Sequence, residues 1–257
     1  MRIVIKLGTS TLAHETGRLN IRRVEELCKV MSDLKNAGNE LILVSSGAIG
    51  MGVGKLSLSG KPKDIPTKQA AAAVGQCELM YVYDKLFSEY NHTVAQILIT
   101  GADIEHADRR ANFENTMRRL LELNVIPILN ENDSIATEEI VIGDNDTLGA
   151  IVATTLEADL LIILSDIDGL FTADPHKNKE AVLLHSVKEI TKEIEDMVGG
   201  AGSTLGTGGM LTKIKAAKIA IQGGTDMVIA NGDDPMKLYD IVAGLDVGTR
   251  FFARKAD

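Results

Sequence analysis

The 257-residue chain has no tryptophan, only 4% aromatic residues and only two cysteines. Without aromatic bulk, Ala, Leu, Ile and Val must fill the interior, a bias that suits buried parallel strands covered by helices. Cys28 and Cys77 each sit in an apolar-periodic segment, with no neighbouring Cys or His at ligand spacing. Both read as buried free thiols in a reducing cytosol. A basic excess is also missing: 27 Lys and Arg stand against 36 Asp and Glu, a net charge of −9. That balance lacks the electrostatic footprint of a general nucleic-acid binder. A bound nucleotide would then need a few local cations and a metal. No apolar stretch approaches the length of a membrane span. The apolar run at Met1–Lys6 is too short for a signal peptide. A cytoplasmic protein without membrane contact is expected.

Familiar catalytic and nucleotide signatures are lacking as well. There is no Gly-x4-Gly-Lys-Ser/Thr and no Gly-x-Gly-x-x-Gly after a strand. His14, His92, His106, His176 and His185 fall in polar or loop contexts, and none follows a main strand. They are expected at the surface, and no Ser-His-Asp or Cys-His arrangement can be argued.

What is present is alternation. Apolar runs at Ile3–Leu7, Glu40–Ser45, Val94–Ile99, Val125–Leu129, Leu160–Leu164 and Met227–Ala230 read as strands. Helical patterns at Ile21–Ala37, Thr67–Tyr90, Ala107–Leu123, Thr147–Glu157 and Met210–Gln222 lie between most of them. Strands alternating with helices of this length imply right-handed crossovers and a mainly parallel sheet with helices on both faces. The expected fold class is α/β, a three-layer αβα sandwich. Leu183–His185 reads as part of a small inserted hairpin and Thr249–Phe252 as a last edge strand. Ser57–Pro66 and the glycine-rich stretch Gly199–Gly209 read as mobile loops.

In such sheets, ligands bind beyond the carboxyl ends of the strands. Polar residues and glycines cluster there after strand after strand. The first delivers Lys6-Leu7-Gly8-Thr9-Ser10 and the second Ser45-Ser46-Gly47-Ala48-Ile49-Gly50. The fourth delivers Asn130-Glu131-Asn132-Asp133, then Gly143-Asp144-Asn145-Asp146. The fifth delivers Ser165–Gly169 and the sixth Asn231-Gly232-Asp233. Lys6, ending an apolar strand, is costly to bury unpaired. It either snorkels to solvent or meets a phosphate. Ser46 and the N–H groups around Gly47 could hold a carboxylate or phosphate oxygen, or the glycines could simply serve the turn. Asp133, Asp144 and Asp146 could bind a metal. With Asn130, Asn132 and Asn145 interleaved, they suit a small zwitterion better, carboxylates meeting its ammonium. Asp146 could equally be a helix N-cap.

The segment Thr207-Gly208-Gly209-Met210-Leu211-Thr212-Lys213 opens a helical pattern with two glycines, flanking hydroxyls and a lysine in the first turn. Free N–H groups and the positive dipole end there suit a phosphate. Alone, the segment is also compatible with an ordinary glycine loop.

Taken together and in order along essentially the whole chain, these segments resemble the amino acid kinase family. The resemblance rests on Lys-x-Gly-x-Ser, Ser-Ser-Gly-Ala-Ile, Asn-Glu-Asn-Asp, Gly-Asp-Asn-Asp, the run from Asp166 to Pro175, and Thr-Gly-Gly-Met-x-Thr-Lys. Within the family it points most to members that phosphorylate the side-chain carboxylate of glutamate at the start of proline biosynthesis. The resemblance implies ATP as phosphoryl donor, with Mg²⁺ carried mainly on its phosphates and no fixed protein metal ligands. By likeness, Lys6 and Lys213 neutralise the phosphoryl group in flight and Asp146 orients them. Ser46, Asp133 and Asn145 hold glutamate, with Asp144 and Asn130 as supporters. Lys6, Gly8, Ser165, Asp166, Thr207, Gly208, Gly209, Met210, Leu211, Thr212 and Lys213 hold ATP.

The expected organisation is one domain spanning residues 1–257. Its acceptor lobe covers about 1–158 and its ATP lobe about 159–257. Ser165 stands where the family pattern has Thr, keeping the hydroxyl. A C-terminal RNA-modification-like (PUA) domain, common in this group, is expected to be absent. Homo-oligomers and feedback inhibition by proline, through Leu56–Pro66 and the following helix, are also implied. The alternatives are a kinase of the same fold acting on acetylglutamate, aspartate, carbamate or UMP, and a ligand-binding protein without catalysis. Retention of Lys6, Lys213 and Asp146 together argues against the last.

Overall fold

The computed structural model describes residues 1–14, 18–60, 62–135, 144–175, 177–199 and 209–253. Its centre is a sheet built from β1 (Arg2–Leu7), β2 (Glu40–Val44), β3 (Val94–Ile99), β4 (Ile126–Glu131), β5 (Leu160–Ser165), β6 (Ser186–Val187), β7 (Asp226–Asn231) and β8 (Thr249–Phe251). The strand order is β3-β4-β2-β1-β5-β7-β8-β6. All pairs are parallel except β7 with β8. The helices are α1 (Thr9–Leu12), α2 (Ile21–Asn36), α3 (Ala48–Lys55), α4 (Ile65–Ser88), α5 (Gly101–Glu105), α6 (Ala107–Glu122), α7 (Asn145–Thr155), α8 (Lys192–Gly199), α9 (Gly209–Gln222) and α10 (Lys237–Val242).

Strand alternation sorts the core into two sides. Ile3, Ile5 and Leu7 of β1 join Leu41, Leu43, Ile162 and Leu164 against α2, α4 and α10. Val4 joins Ile42, Val44, Leu161 and Ile163 against α6, α7 and α9. This is the αβα sandwich expected from composition. Lys6, two residues after Val4, therefore lies on the α7–α9 side. Those two helices bury Ala150, Ala153, Ala216, Ala217 and Ala220, small residues that let them lie close to the strands.

The structure revises several expectations. Leu183 forms an isolated bridge with Phe171, but the strand that follows, β6, joins the main sheet edge beside β8. Cys77 is exposed, unlike buried Cys28. It lies on the outer side of α4, whose inner side carries Ala72 and Leu79. His92 is buried and its Nε2 lies 3.3 Å from the Ser32 carbonyl oxygen. Helix α3 follows Ser46-Gly47 directly, and Gly47 starts it in the left-handed conformation with φ +88°. Its glycine-rich composition hides it from helical periodicity, because glycine is a poor helix former.

Those glycines have a packing reason. A Cβ at Gly75 would lie 1.7 Å from the Ala48 carbonyl oxygen, and one at Gly52 would lie 1.8 Å from the Ala71 carbonyl oxygen. Helices α3 and α4 thus meet backbone to backbone, which fixes the loop after β2. Gly75→Ala should destabilise the fold by about 1–3 kcal/mol through overpacking. Gly54→Ala, where a Cβ meets nothing within 4 Å, should be neutral or gain up to about 1 kcal/mol. Chemical denaturation of both variants checks the pair; equal effects would show that the close approach is not what Gly75 serves.

Candidate active site

Lys6, next to last in β1, lies between Val44 of β2 and Ile163 of β5. It is 7% exposed, so it does not snorkel. Its Nζ meets Asp146 Oδ1 at 2.6 Å. The other carboxylate oxygen takes the Lys213 ammonium at 3.1 Å and accepts from the Thr212 hydroxyl at 2.9 Å. Lys213 Nζ also donates to the Gly209 carbonyl at 3.1 Å. One carboxylate thus joins strand β1 to the first turn of α9. Gly149, one turn further along α7, lies over the Lys6 stem, where a Cβ would sit 3.5 Å from Lys6 Cβ, in ordinary contact.

Asp146 is not the cap of α7. Asp144 is: its carboxylate accepts from Thr147 N at 2.8 Å and from the Thr147 hydroxyl at 2.9 Å. This frees Asp146, in the first turn, to sit in the positive end of the helix dipole while its carboxylate reaches the lysines. Burial alone would raise the Asp146 carboxyl; the two ammoniums and the Thr212 hydroxyl overcome it and hold it below the usual range. Two ammoniums around one carboxylate leave a positive surplus, which fits an arriving phosphate.

The neighbouring residue, Asn145, ties α7 to the loop after β2 and to β4. Asn145 Nδ2 lies within hydrogen-bonding distance of the Ser45 carbonyl at 2.8 Å, Ser46 Oγ at 2.9 Å and Asn130 Oδ1 at 3.0 Å. Asn130 Nδ2 in turn donates to Gln76 Oε1 at 2.9 Å. Ser46, Asn130 and Asn145 are therefore one hydrogen-bonded unit joined through the chain to Asp146. Among the described residues, no hydrogen bond joins Asp133 to it. Asp133 lines an adjoining cavity of about 370 Å³ with Ala48, Gln76 and Glu131. Burial raises the Asp133 carboxyl. Burial, then the charges of Asp133 and Asp144, raise that of Glu131.

On the opposite side, Ser165 is buried and donates to Asp166 Oδ1 at 3.0 Å. Gly8 spends its N–H on the Leu164 carbonyl at 3.1 Å, so it offers space and not a donor. Gly209, Met210 and Leu211 open α9, where backbone N–H groups have no helical partner. Thr207, Gly208 and Gly143 lie outside the described residues. A cavity of about 510 Å³ runs from Thr9 and Ser10 past Ser46, Gly47 and Gly50 to Asp166. An apolar hollow lined by Ile167, Leu170, Phe171, Pro175, Met197 and Met210 lies next to it in the chain.

Gln76 and Glu131 were not among the expected site residues. A signal for Gln76 existed: an amide between Ala72 and Leu79, on the core-facing side of an alanine-rich helix. Glu131 stood inside a motif already singled out, beside more obvious asparagines.

Asp146→Asn should leave two buried ammoniums without a counter-charge and cost about 3–5 kcal/mol at neutral pH. The lowered Asp146 pKa means the unfolded chain binds the proton more readily. Its contribution is therefore complete above the ordinary carboxyl value of 3.8 and lost as pH falls through the lower folded value. Denaturant titrations of both proteins should converge as pH drops below that range; a gap independent of pH would contradict the assignment.

The family model described as the amino acid kinase family matches residues 1–231. A relative from Clostridium perfringens named "Glutamate 5-kinase" is 54% identical over 260 residues, covering 100% of this chain and 97% of its own length. One of the same name from Carboxydothermus hydrogenoformans is 53% identical, covering 99% of this chain and 68% of its own. Among solved structures, carbamate kinase from Giardia lamblia bound to AMP-PNP superposes with a TM-score of 0.70 at 17% identity, covering 98% of each chain. A family model matching residues 1–231, with relatives 53–54% identical over 99–100% of the chain, leads to one conclusion: the chain belongs to the amino acid kinase family.

Proposed function

We propose that the chain transfers the γ-phosphoryl group of ATP to the side-chain carboxylate of L-glutamate, giving γ-glutamyl phosphate and ADP, the first step of proline biosynthesis. The observation that carries the chemistry is the buried Lys6–Asp146–Lys213 arrangement. The acceptor's identity is supported by relatives named glutamate 5-kinase that match the whole chain.

The attacking carboxylate is already ionised at neutral pH, so no general base is needed. A carboxylate oxygen bonds to the γ-phosphorus as the bridging P–O bond breaks toward ADP. Positioning and charge neutralisation dominate such a step. In this reading Lys6 and Lys213 neutralise the phosphoryl oxygens, and Asp146 sets their spacing. Ser46, Asn145 and Asp133 hold glutamate. The carboxylates of Asp133 and Glu131 favour an acceptor with an ammonium group over acetylglutamate, which lacks one, and over UMP, which is itself anionic.

Ser165, Asp166 and the Thr207–Lys213 segment hold ATP, with the hollow around Leu170, Phe171 and Met210 offering an apolar bed for its base. The two-ammonium surplus fits the triphosphate. Mg²⁺, arriving on those phosphates, would supply further neutralisation. The acceptor half is assigned to residues 1–158 and the ATP half to 159–257.

The reading extends to a cytoplasmic homo-oligomer, supported by exposed Tyr81 and Ile65 on α4 and checked by light scattering. It also extends to proline as a feedback inhibitor reached through Leu56–Pro66 and α4.

An ADP-release assay against glutamate, acetylglutamate, aspartate and UMP tests the proposal. Turnover should be confined to glutamate; activity only with UMP or acetylglutamate would overturn it. Lys213→Met should lower kcat by roughly 10²–10³, by analogy with losing one oxyanion donor. In the same assay proline should slow the reaction at subsaturating glutamate, and an unchanged rate would remove the inhibitor from the reading.

A further inference from the structure

We infer that Gln76, on the buried side of α4, is a positioning residue for the acceptor site that acts through Asn130 on Asn145. The inference rests on the reading of glutamate as acceptor.

Two backbone groups fix the polarity of the chain of amides. The Ser45 carbonyl can only accept, so the Asn145 atom 2.8 Å from it is Nδ2. The Glu131 N–H can only donate, so the Asn130 atom 2.9 Å from it is Oδ1. Asn130 must then offer Nδ2 on its other side, and Gln76 Oε1 accepts it at 2.9 Å. Asn130 Oδ1 also accepts from Asn145 at 3.0 Å. With Asn145 Nδ2 committed to the protein, its carbonyl oxygen is the end left for a substrate ammonium.

Gln76 is 6% exposed and Asn130 2% exposed, so water does not replace a lost partner. Removing the Gln76 oxygen would orphan Asn130 Nδ2 in the interior. The relief open to Asn130 is to turn its amide over, which sets its NH₂ group against Asn145 and the Glu131 N–H. The disturbance therefore reaches the residue that meets the acceptor.

A packing role would not need an amide here. Ala72 and Leu79 cover the same side of α4 with apolar groups. Gln76 instead leaves its own Nε2 buried and without a partner among the described residues, a stability cost. That cost is offset by the orientation Oε1 imposes on Asn130. Tyr83, seven residues on and so on the same side of the helix, meets Ser45 Oγ at 2.9 Å. Helix α4 thus holds two of the three residues that Asn145 leans on, Asn130 and Ser45.

The test is steady-state kinetics of the full chain with Gln76→Met and Gln76→Glu. Gln76→Met removes the acceptor at similar size. It should raise the glutamate KM at least 10-fold while the ATP KM stays within about 2-fold. Gln76→Glu keeps an oxygen toward Asn130, and burial favours the neutral form of the new carboxyl; it should return the glutamate KM to within about 3-fold of wild type. If Gln76→Met does not fold, Gln76→Glu carries the test: a glutamate KM raised 10-fold or more there overturns the role. Equal rises in both KM values, or an unchanged glutamate KM in a folded Gln76→Met, also overturn it while wild-type turnover with glutamate stands. A wild-type chain without glutamate-dependent ADP release overturns the acceptor reading itself, and this role with it.

Discussion

The site depends on a single carboxylate, Asp146, placed between two buried ammoniums. Lys6 comes from the first strand of the sheet and Lys213 from a helix more than two hundred residues later in the chain. Each alone would be an expensive interior charge. Bridged by Asp146, they can be kept dry, close together and still in positive surplus. Electrostatic interactions strengthen in such a site because water does not screen them. The same contact that lets the lysines be buried also sets the distance between them, so stability and chemistry are hard to separate at this point.

The fold places that carboxylate through small residues. The buried alanines of α7 and α9 bring both helices near the strands on the Val4 side. Gly52 and Gly75 bring α3 and α4 into backbone contact on the other side of the acceptor loop. Asp144 takes the capping task at the start of α7, which leaves Asn145 and Asp146, adjacent in sequence, to serve two different neighbours. Asn145 turns to the acceptor loop and Asp146 to the lysines. In the proposed reading, acceptor and donor are thereby referenced to one helix terminus.

Much of this was legible in the amino-acid order. Long aliphatic strands and amphipathic helices have strong periodicity, so β1 to β5, β7 and the longer helices lie close to where periodicity places them. Lys6 was conspicuous because an ammonium at the end of an apolar strand demands a partner. Asp146 was visible as a helix-start residue, but periodicity could not distinguish it from Asp144 as the cap; only the side-chain geometry does that. Helix α3 escaped because its glycines serve a tertiary contact at the expense of local propensity. Gln76 escaped because its role depends on Asn130 and Asn145, 54 and 69 positions away, and long-range hydrogen bonding leaves no local pattern. Asp133, which a motif singled out, lines the adjoining cavity together with Gln76, a member of the amide network.

The central claim is that the lysines held by Asp146 act on the phosphoryl group in flight more than on ATP at rest. Interactions of that kind stabilise the transition state selectively. The most direct measurement is the affinity of wild type and Lys6→Met for ATP, and for ADP with aluminium fluoride and glutamate as a mimic of the transferring phosphoryl group. Lys6→Met should weaken the mimic complex by roughly 10² or more, in line with the loss of one such donor, and ATP binding by far less. Equal weakening of both would mean that the ammonium only binds nucleotide, and would contradict the account.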